Sequence, residues 1–147
     1  MKIIDCFMYF DEDLVLEIRL NTLNKFVDKF ILCEATKDHA GNKRELKFNI
    51  DHFPNFKDKI EYIIVNDMPS KIKSLKKNWH ESHIRDQFQR NALQRGIAKY
   101  DPDDLIMISD IDEIPDQLKI MSELLKINNL CLSISSDNES EILKNIN

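Results

Sequence analysis

Glycine is scarce in this chain, and its scarcity removes two common ways of binding a phosphate group. Only Gly41 and Gly96 occur among 147 residues. The sequence therefore has no Gly-x-Gly-x-x-Gly fingerprint and no Walker-type loop, in which backbone N–H groups surround phosphate oxygens. If the protein binds a phosphorylated ligand, charge must supply the attraction instead.

Long apolar runs and paired cysteines are lacking as well. No apolar run approaches the roughly 18 residues that a membrane-spanning helix needs, and Asp5 interrupts the short apolar stretch at the N-terminus, which therefore does not read as a signal peptide. We expect a cytoplasmic protein. Cys6, Cys33 and Cys131 are odd in number, far apart and set in apolar runs, which favours buried reduced thiols over disulfides or a zinc site.

The composition indicates an ordinary globular protein. Hydrophobic residues make up 42% of the chain and charged residues 32%, and the formal net charge is -5. These values are typical of soluble globular domains, and the acidic balance argues against a general nucleic-acid binder. We predict one domain over residues 1–135, C-terminally short, followed by a polar tail over residues 136–147.

The order of apolar runs and helical patterns predicts an α/β fold. Runs typical of strands buried on both faces lie at 2–10, 27–34, 60–66 and 104–109, with a further strand possible at 130–135. Helices are predicted at 13–25, 82–99 and 116–127, whereas 36–59 is irregular and 71–77 reads as a lysine-rich loop. This alternation predicts a mainly parallel sheet with flanking helices and a ligand site at the carboxyl ends of its strands.

An acidic cluster follows the fourth predicted strand. Residues 101–116 contain seven acids and neither Lys nor Arg, and Asp110, Asp112 and Glu113 stand where the strand ends. At a turn, Asp110 and Asp112 can both reach one hard cation, and Mg²⁺ or Mn²⁺ is commonly held by one or two carboxylates plus substrate phosphates. The competing interpretation is a solvated turn in which Asp112 or Asp116 caps the next helix.

The helix predicted at 82–99 has polar residues on the arc that faces the protein. At 100° per residue, Arg85, Gln89 and Gly96 fall between two apolar sides. Arg85 and Gln89 either contact a ligand or hydrogen-bond the ends of strands, since buried polar groups need partners. Arg90 and Asn91 lie toward the edges of this arc, and an arginine beside an acidic metal site suits a diphosphate.

Several separated motifs, in this order, resemble glycosyltransferase family 17, the family of β-1,4-mannosyl-glycoprotein β-1,4-N-acetylglucosaminyltransferases. The resemblance covers the chain up to about residue 116. The motifs are Asp5-Cys6-Phe7 with Phe10 and Glu12, Leu16-Glu17-Ile18-Arg19-Leu20, Cys33-Glu34-Ala35-Thr36, His39-Ala40-Gly41, Trp79, Gln89-Arg90-Asn91 and Ser109-Asp110-Ile111-Asp112-Glu113-Ile114-Pro115. Asp86 stands where the family is expected to have Glu.

The resemblance implies a GT-A-like nucleotide-sugar-binding fold and inverting transfer of a sugar, N-acetylglucosamine, from a UDP-sugar to a glycan acceptor, as in N-glycan processing. It implies that Asp110 and Asp112 bind Mn²⁺ or Mg²⁺ and that Glu34, Arg90 and Asn91 lie near the nucleotide. Glu34 has a second interpretation as a structural carboxylate at a strand end.

The C-terminal end departs from the family, whose members continue well beyond the last motif. The catalytic base that inversion requires is therefore not placed, and Glu113 is the one candidate. Two alternatives stay open: a catalytically incomplete donor-binding domain whose missing half comes from a partner chain, and a Mg²⁺-dependent phosphatase of the haloacid-dehalogenase type.

Overall fold

The computed structural model describes residues 1–69 and 81–116, together with positions 119, 122 and 126. The chain forms two compact units, Met1–Ile114 and Pro115–Asn147. In the second unit Lys119, Ser122 and Lys126 are helical, at positions inside the helix predicted at 116–127. The loop predicted at 71–77, the strand at 130–135, the polar tail and Cys131 lie outside the described residues.

The first unit is built on a four-stranded parallel sheet, as the sequence predicts. The strands are Ile3–Met8 (β1), Lys29–Ala35 (β2), Ile60–Val65 (β3) and Leu105–Ile108 (β4), in the order β3-β2-β1-β4. All three pairings are parallel, and Cys6 in β1 lies opposite Ile31 on one side and Ile108 on the other. The predicted α/β class is therefore confirmed.

Among the residues that the structure describes in this unit, three α-helices accompany the sheet: Asp13–Leu23 (α1), Glu81–Ala92 (α2) and Gln94–Ile97 (α3). The irregular stretch predicted at 36–59 contains two short 3₁₀ turns, Ile50–His52 and Pro54–Phe56, and an isolated antiparallel bridge between Lys37 and Lys43. The prediction of a single helix over 82–99 is wrong, because the helical segment is divided at Leu93 into α2 and α3. Leu93 and Gly96 donate their N–H groups to carbonyls three residues back, so the helix tightens between α2 and α3.

The core forms where this helical segment packs on the sheet. Ile4, Cys6, Ile31 and Cys33 belong to one buried cluster with Leu93 and four further side chains. Cys6 and Cys33 are buried free thiols, as predicted. Burial raises the pKa of each thiol to about 12, so both remain protonated and unreactive at neutral pH.

Gly96 allows α3 to approach the sheet closely. A Cβ atom at this position would lie 2.9 Å from Ile31 Cγ2 and 3.0 Å from Ile63 Cδ1. Overpacking of this kind costs about 1–3 kcal/mol, whereas alanine is intrinsically favoured in a helix by roughly 1 kcal/mol. We therefore expect Gly96→Ala to lower the free energy of unfolding by about 1 kcal/mol on balance.

Urea unfolding followed by circular dichroism measures this change. Gln94→Ala is the matched control, because Gln94 is exposed on the same helix and should stay within about 0.5 kcal/mol of the original chain. A Gly96→Ala protein as stable as the Gln94→Ala control would contradict the close packing.

Within the part of the chain that the structure describes, no helix is long and apolar enough to cross a bilayer.

Candidate functional site

The sheet has a topological switch point between β1 and β4. From β1 the chain proceeds through α1 to β2 and then to β3, all on one side of β1, whereas β4 pairs with the opposite side of β1. In open α/β sheets, ligands bind in the crevice outside the carboxyl ends of the strands at such a point. The residues that directly follow Met8 and Ile108 therefore border the expected binding crevice.

A cleft of about 550 Å³ occupies this place. It lies within the first unit, and its walls come from the ends of β1 and β4, the start of α1, the loop after β2 and the middle of α2. The lining residues are Met8, Tyr9, Phe10, Glu12, Val15, His39, Asp86, Gln89, Arg90, Asp110, Ile111 and Asp112. Two aromatic side chains and several charged groups thus face one space of the size of a small-molecule site.

Asp110 and Asp112 both line this cleft, on a turn that leaves β4. The Glu113 N–H donates to the Asp110 carbonyl and the Ile114 N–H to the Asp112 carbonyl, each at 3.0 Å. Both aspartates are exposed. Among the described residues, no hydrogen bond or ion pair involves the Asp112 carboxylate. The turn therefore presents two accessible carboxylates on one side of the cleft.

Arg90 faces these carboxylates from α2. Its Nη2 atom lies 2.7 Å from Asp110 Oδ1, and both side chains are partly exposed, at 36% and 51%. The hydrogen bond to Asp110 raises the pKa of the Arg90 guanidinium above its ordinary value. Arg90 is a permanent cation whose planar group suits phosphate oxygens, and its exposure leaves it free to exchange one anionic partner for another.

Gln89 and His39 line the next part of the cleft. Gln89 is 5% exposed; its Nε2 atom donates to the Cys33 carbonyl at 3.4 Å, and its Oε1 atom lies 3.1 Å from His39 Nε2. His39 Nδ1 lies 3.9 Å from Asp86 Oδ1. Gln89 thus joins the end of β2 to a half-exposed imidazole at the cleft wall.

Glu34 lies elsewhere, buried among protein partners. Its side chain is fully buried and accepts hydrogen bonds from the N–H groups of Lys47 and Phe48 and from the Tyr62 hydroxyl, at 2.8, 3.1 and 2.8 Å. Arg44 adds an ion pair at 2.9 Å. These contacts fit the structural interpretation, and Glu34 is not among the lining residues.

The other predicted residues occupy the surroundings of the cleft. Arg85 is buried and contacts the carbonyls of Pro69 and His39 and the Glu81 carboxylate. Asn91 is exposed on α2. Glu113 accepts a hydrogen bond from the Asp110 N–H at 3.2 Å, and its role as a base stays a prediction. The structure thus brings together Asp110, Asp112, Gln89 and Arg90, but places Glu34, Arg85, Asn91 and Glu113 outside the lining.

Tyr9 and Glu12, which lie between β1 and α1, are lining residues that the sequence did not predict as site residues. Tyr9 is buried, and its hydroxyl donates to Asp13 at 2.5 Å; burial and this hydrogen bond raise its pKa, so it remains a neutral phenol. Glu12 accepts hydrogen bonds from the N–H groups of Phe10 and Asp11. Their position in the segment that follows a buried strand is the signal that could have marked them.

The donor set at the cleft fits a hard divalent cation only in part. Among the described residues, no group of three or more His, Cys, Asp or Glu side chains could hold a metal ion. Asp110 and Asp112 supply carboxylate oxygens, which suit Mg²⁺ or Mn²⁺ when substrate phosphates and water complete the coordination. The two aspartates are therefore compatible with a cation that arrives with a diphosphate.

Comparison with known proteins identifies the same family that the sequence motifs resemble. A sequence model described as Glycosyltransferase family 17 matches residues 1–135. Human and rat proteins named beta-1,4-mannosyl-glycoprotein 4-beta-N-acetylglucosaminyltransferase are each 29% identical to the chain over 109 residues, and the mouse protein of that name is 28% identical.

These alignments cover 69% of this chain and 19% of each relative, so the chain spans about a fifth of the length of the curated relatives that it matches. No solved structure gives a significant match.

Proposed function

This chain belongs to glycosyltransferase family 17, and we propose that its cleft binds the diphosphate of a UDP-sugar through a divalent cation held by Asp110 and Asp112. In this proposal the unit is the donor-binding part, with a GT-A-like fold, of an enzyme that transfers N-acetylglucosamine to a glycan acceptor with inversion. The observation that carries it is the meeting of Asp110, Asp112 and Arg90 in one cleft at the switch point of the sheet.

Each residue has a chemical task in this proposal. When bound, Mn²⁺ or Mg²⁺ would neutralise the charge that develops on the departing diphosphate. Asp110 and Asp112 would hold the cation, and Arg90 would bind diphosphate oxygens with charge-assisted hydrogen bonds. Phe10, which follows the neighbouring strand β1 and is exposed, offers aromatic surface for the planar base.

The name of the human and rodent relatives supports N-acetylglucosamine as the transferred sugar and a glycan as the acceptor, by analogy. Two other functions were open from the sequence. Family membership favours a transferase over a phosphatase of the haloacid-dehalogenase type. A second candidate stays open: a unit that binds the donor and needs further polypeptide for transfer.

Calorimetric titration of UDP and UDP-N-acetylglucosamine into the purified chain tests the donor site. We expect binding in the presence of Mn²⁺ that a chelator abolishes. Transfer to a glycan, measured on the same preparation, separates the two candidates, because a unit that only binds the donor gives the titration without the transfer. Absence of binding by the folded chain would contradict both.

Replacing Arg90 tests this proposal, because the affinity for Mn²⁺ alone and the affinity for UDP with Mn²⁺ should change in opposite directions. In the structure Arg90 competes with any cation for Asp110, and the exposed pair is worth about 0.2–1 kcal/mol. Arg90→Gln should therefore tighten the binding of Mn²⁺ alone by about two- to fivefold. It should weaken the binding of UDP with Mn²⁺ by about 10- to 100-fold, because a charge-assisted bond to the diphosphate is lost.

Electron paramagnetic resonance of free Mn²⁺ measures the first change and calorimetry the second. Arg95→Gln is the control, since Arg95 also forms an exposed ion pair, with Asp67, but does not line the cleft. If both affinities change in the same direction in Arg90→Gln, Arg90 does not alternate between Asp110 and the diphosphate.

A further inference from the structure

Arg19 is an arginine on the buried face of α1, where the sequence pattern calls for apolar side chains. Leu16, Leu20 and Leu23 occupy the same face, and the Arg19 side chain is completely buried. Its Nε and Nη2 atoms donate to the two oxygens of Asp5, each at 2.8 Å, and Asp5 is equally buried. The charge is thus neutralised by a bidentate pair inside the fold.

The pair with Asp5 uses only part of the guanidinium. The Nη1 atom donates to three backbone carbonyls, those of Asp110, Ile111 and Glu113, at 2.8, 3.0 and 3.2 Å. The Nη2 atom also donates to the Ser109 hydroxyl at 2.6 Å. Arg19 therefore contacts four residues of the segment that follows β4, the segment that carries both cleft aspartates.

Three carbonyl oxygens that converge on one point repel one another unless a cation or several donors lie between them. Arg19 supplies both the charge and the donors. A lysine in its place keeps the charge but has three N–H donors where Arg19 uses five, and its compact ammonium cannot span both Asp5 and the turn. The convergence of these carbonyls thus requires arginine.

We infer that Arg19, held by Asp5, is the positioning residue that sets the conformation of the 109–113 turn and so fixes Asp110 and Asp112 at the cleft. The inference rests on the proposed function for its metal, since in that proposal Asp110 and Asp112 of this turn hold one cation. Outer contacts that orient metal ligands typically change metal affinity by about 10- to 100-fold when they are removed.

Order in the turn is measured by ¹⁵N relaxation of the chain without any ligand. We expect backbone order parameters of about 0.85 for residues 110–113 in the original chain and values below about 0.6 in Arg19→Lys. Gly96→Ala is the matched control: its clash lies at Ile31 and Ile63, so it loses stability without touching the turn and should keep the higher values.

Metal affinity provides a second readout on the same proteins. In Arg19→Lys the Mn²⁺ concentration for half-maximal UDP binding should rise by about 10- to 100-fold, whereas Gly96→Ala should match the original chain. If the original chain binds no UDP with Mn²⁺, the proposed function fails, but the relaxation data still decide the role of Arg19.

Ser109→Ala is a second variant, which tests the inference if the Arg19→Lys protein does not fold. It removes the hydroxyl that accepts from Arg19 Nη2 and itself donates to the Glu113 carbonyl at 3.2 Å, from a partly exposed residue, and should lower the same order parameters by a smaller amount than Arg19→Lys. Order parameters that stay unchanged in Arg19→Lys, or in Ser109→Ala where Arg19→Lys is unfolded, would overturn the inference. A turn that is already mobile in the original chain would overturn it as well.

Discussion

Replacing Asp110 and Asp112 together by asparagine should abolish the Mn²⁺-dependent binding of UDP while the chain stays folded. The affinity should fall by more than about 100-fold, because the change removes both carboxylate ligands, and even changes to outer contacts cost 10- to 100-fold. Folding should be spared, since both side chains are exposed and the Asp110–Arg90 pair is worth at most about 1 kcal/mol. Calorimetry with and without chelator, beside thermal unfolding, measures both effects.

A control pair for this double variant exists at the other end of the same strand. Asp101 and Asp103 are exposed and precede β4, so changing both to asparagine alters the net charge equally but leaves the cleft untouched. The control should bind UDP as the original chain does. Equal affinity in the Asp110/Asp112 variant and the control would show that no metal ligand lies at the turn.

Glu34→Gln should lower the free energy of unfolding by about 3–5 kcal/mol, the usual cost of removing one partner of a buried ion pair. The carboxylate of Glu34 serves four donors, of which Arg44 is the charged one and is itself largely buried. A glutamine amide turns an –NH₂ group toward donors that it cannot accept from, and it leaves the Arg44 cation uncompensated. Urea unfolding measures the loss.

The same variant decides between the two interpretations of Glu34. At a temperature where Glu34→Gln remains folded, its affinity for UDP with Mn²⁺ should equal that of the original chain, because the carboxylate does not line the cleft. Glu45→Gln, at an exposed position in the following loop, is the control for charge and should leave both quantities unchanged. A stable Glu34→Gln protein with weakened UDP binding would restore Glu34 to the donor site.

The buried arc of the helical segment formed by α2 and α3 was predictable, because helical geometry depends on residues close together in the chain. The period of 3.6 residues places Arg85, Gln89 and Gly96 on one arc, and all three are buried in the structure. The break at Leu93 was not predictable in this way. It occurs where the helix must bring Gly96 against Ile31 and Ile63 of the sheet, and such packing is not encoded in the helical period.

The positions of Glu34 and Arg90 relative to the cleft were likewise not predictable from the sequence. Both are charged residues in family motifs, and the sequence offers no means of telling which one faces a ligand. The partners of Glu34 come from the loop at 44–48 and from Tyr62, and the partner of Arg90 comes from the turn after β4. These distant contacts bury one carboxylate and leave one guanidinium at the cleft.

The sequence by itself determined the α/β alternation, the parallel character of the sheet and the turn of paired aspartates after a buried strand, because each depends on residues close together in the chain. The tertiary structure alone decided the order β3-β2-β1-β4, which puts the ends of β1 and β4 side by side and creates the cleft. It also decided that Arg19 reaches three carbonyls of that turn. Both depend on contacts between segments about ninety to one hundred residues apart, which no local pattern specifies.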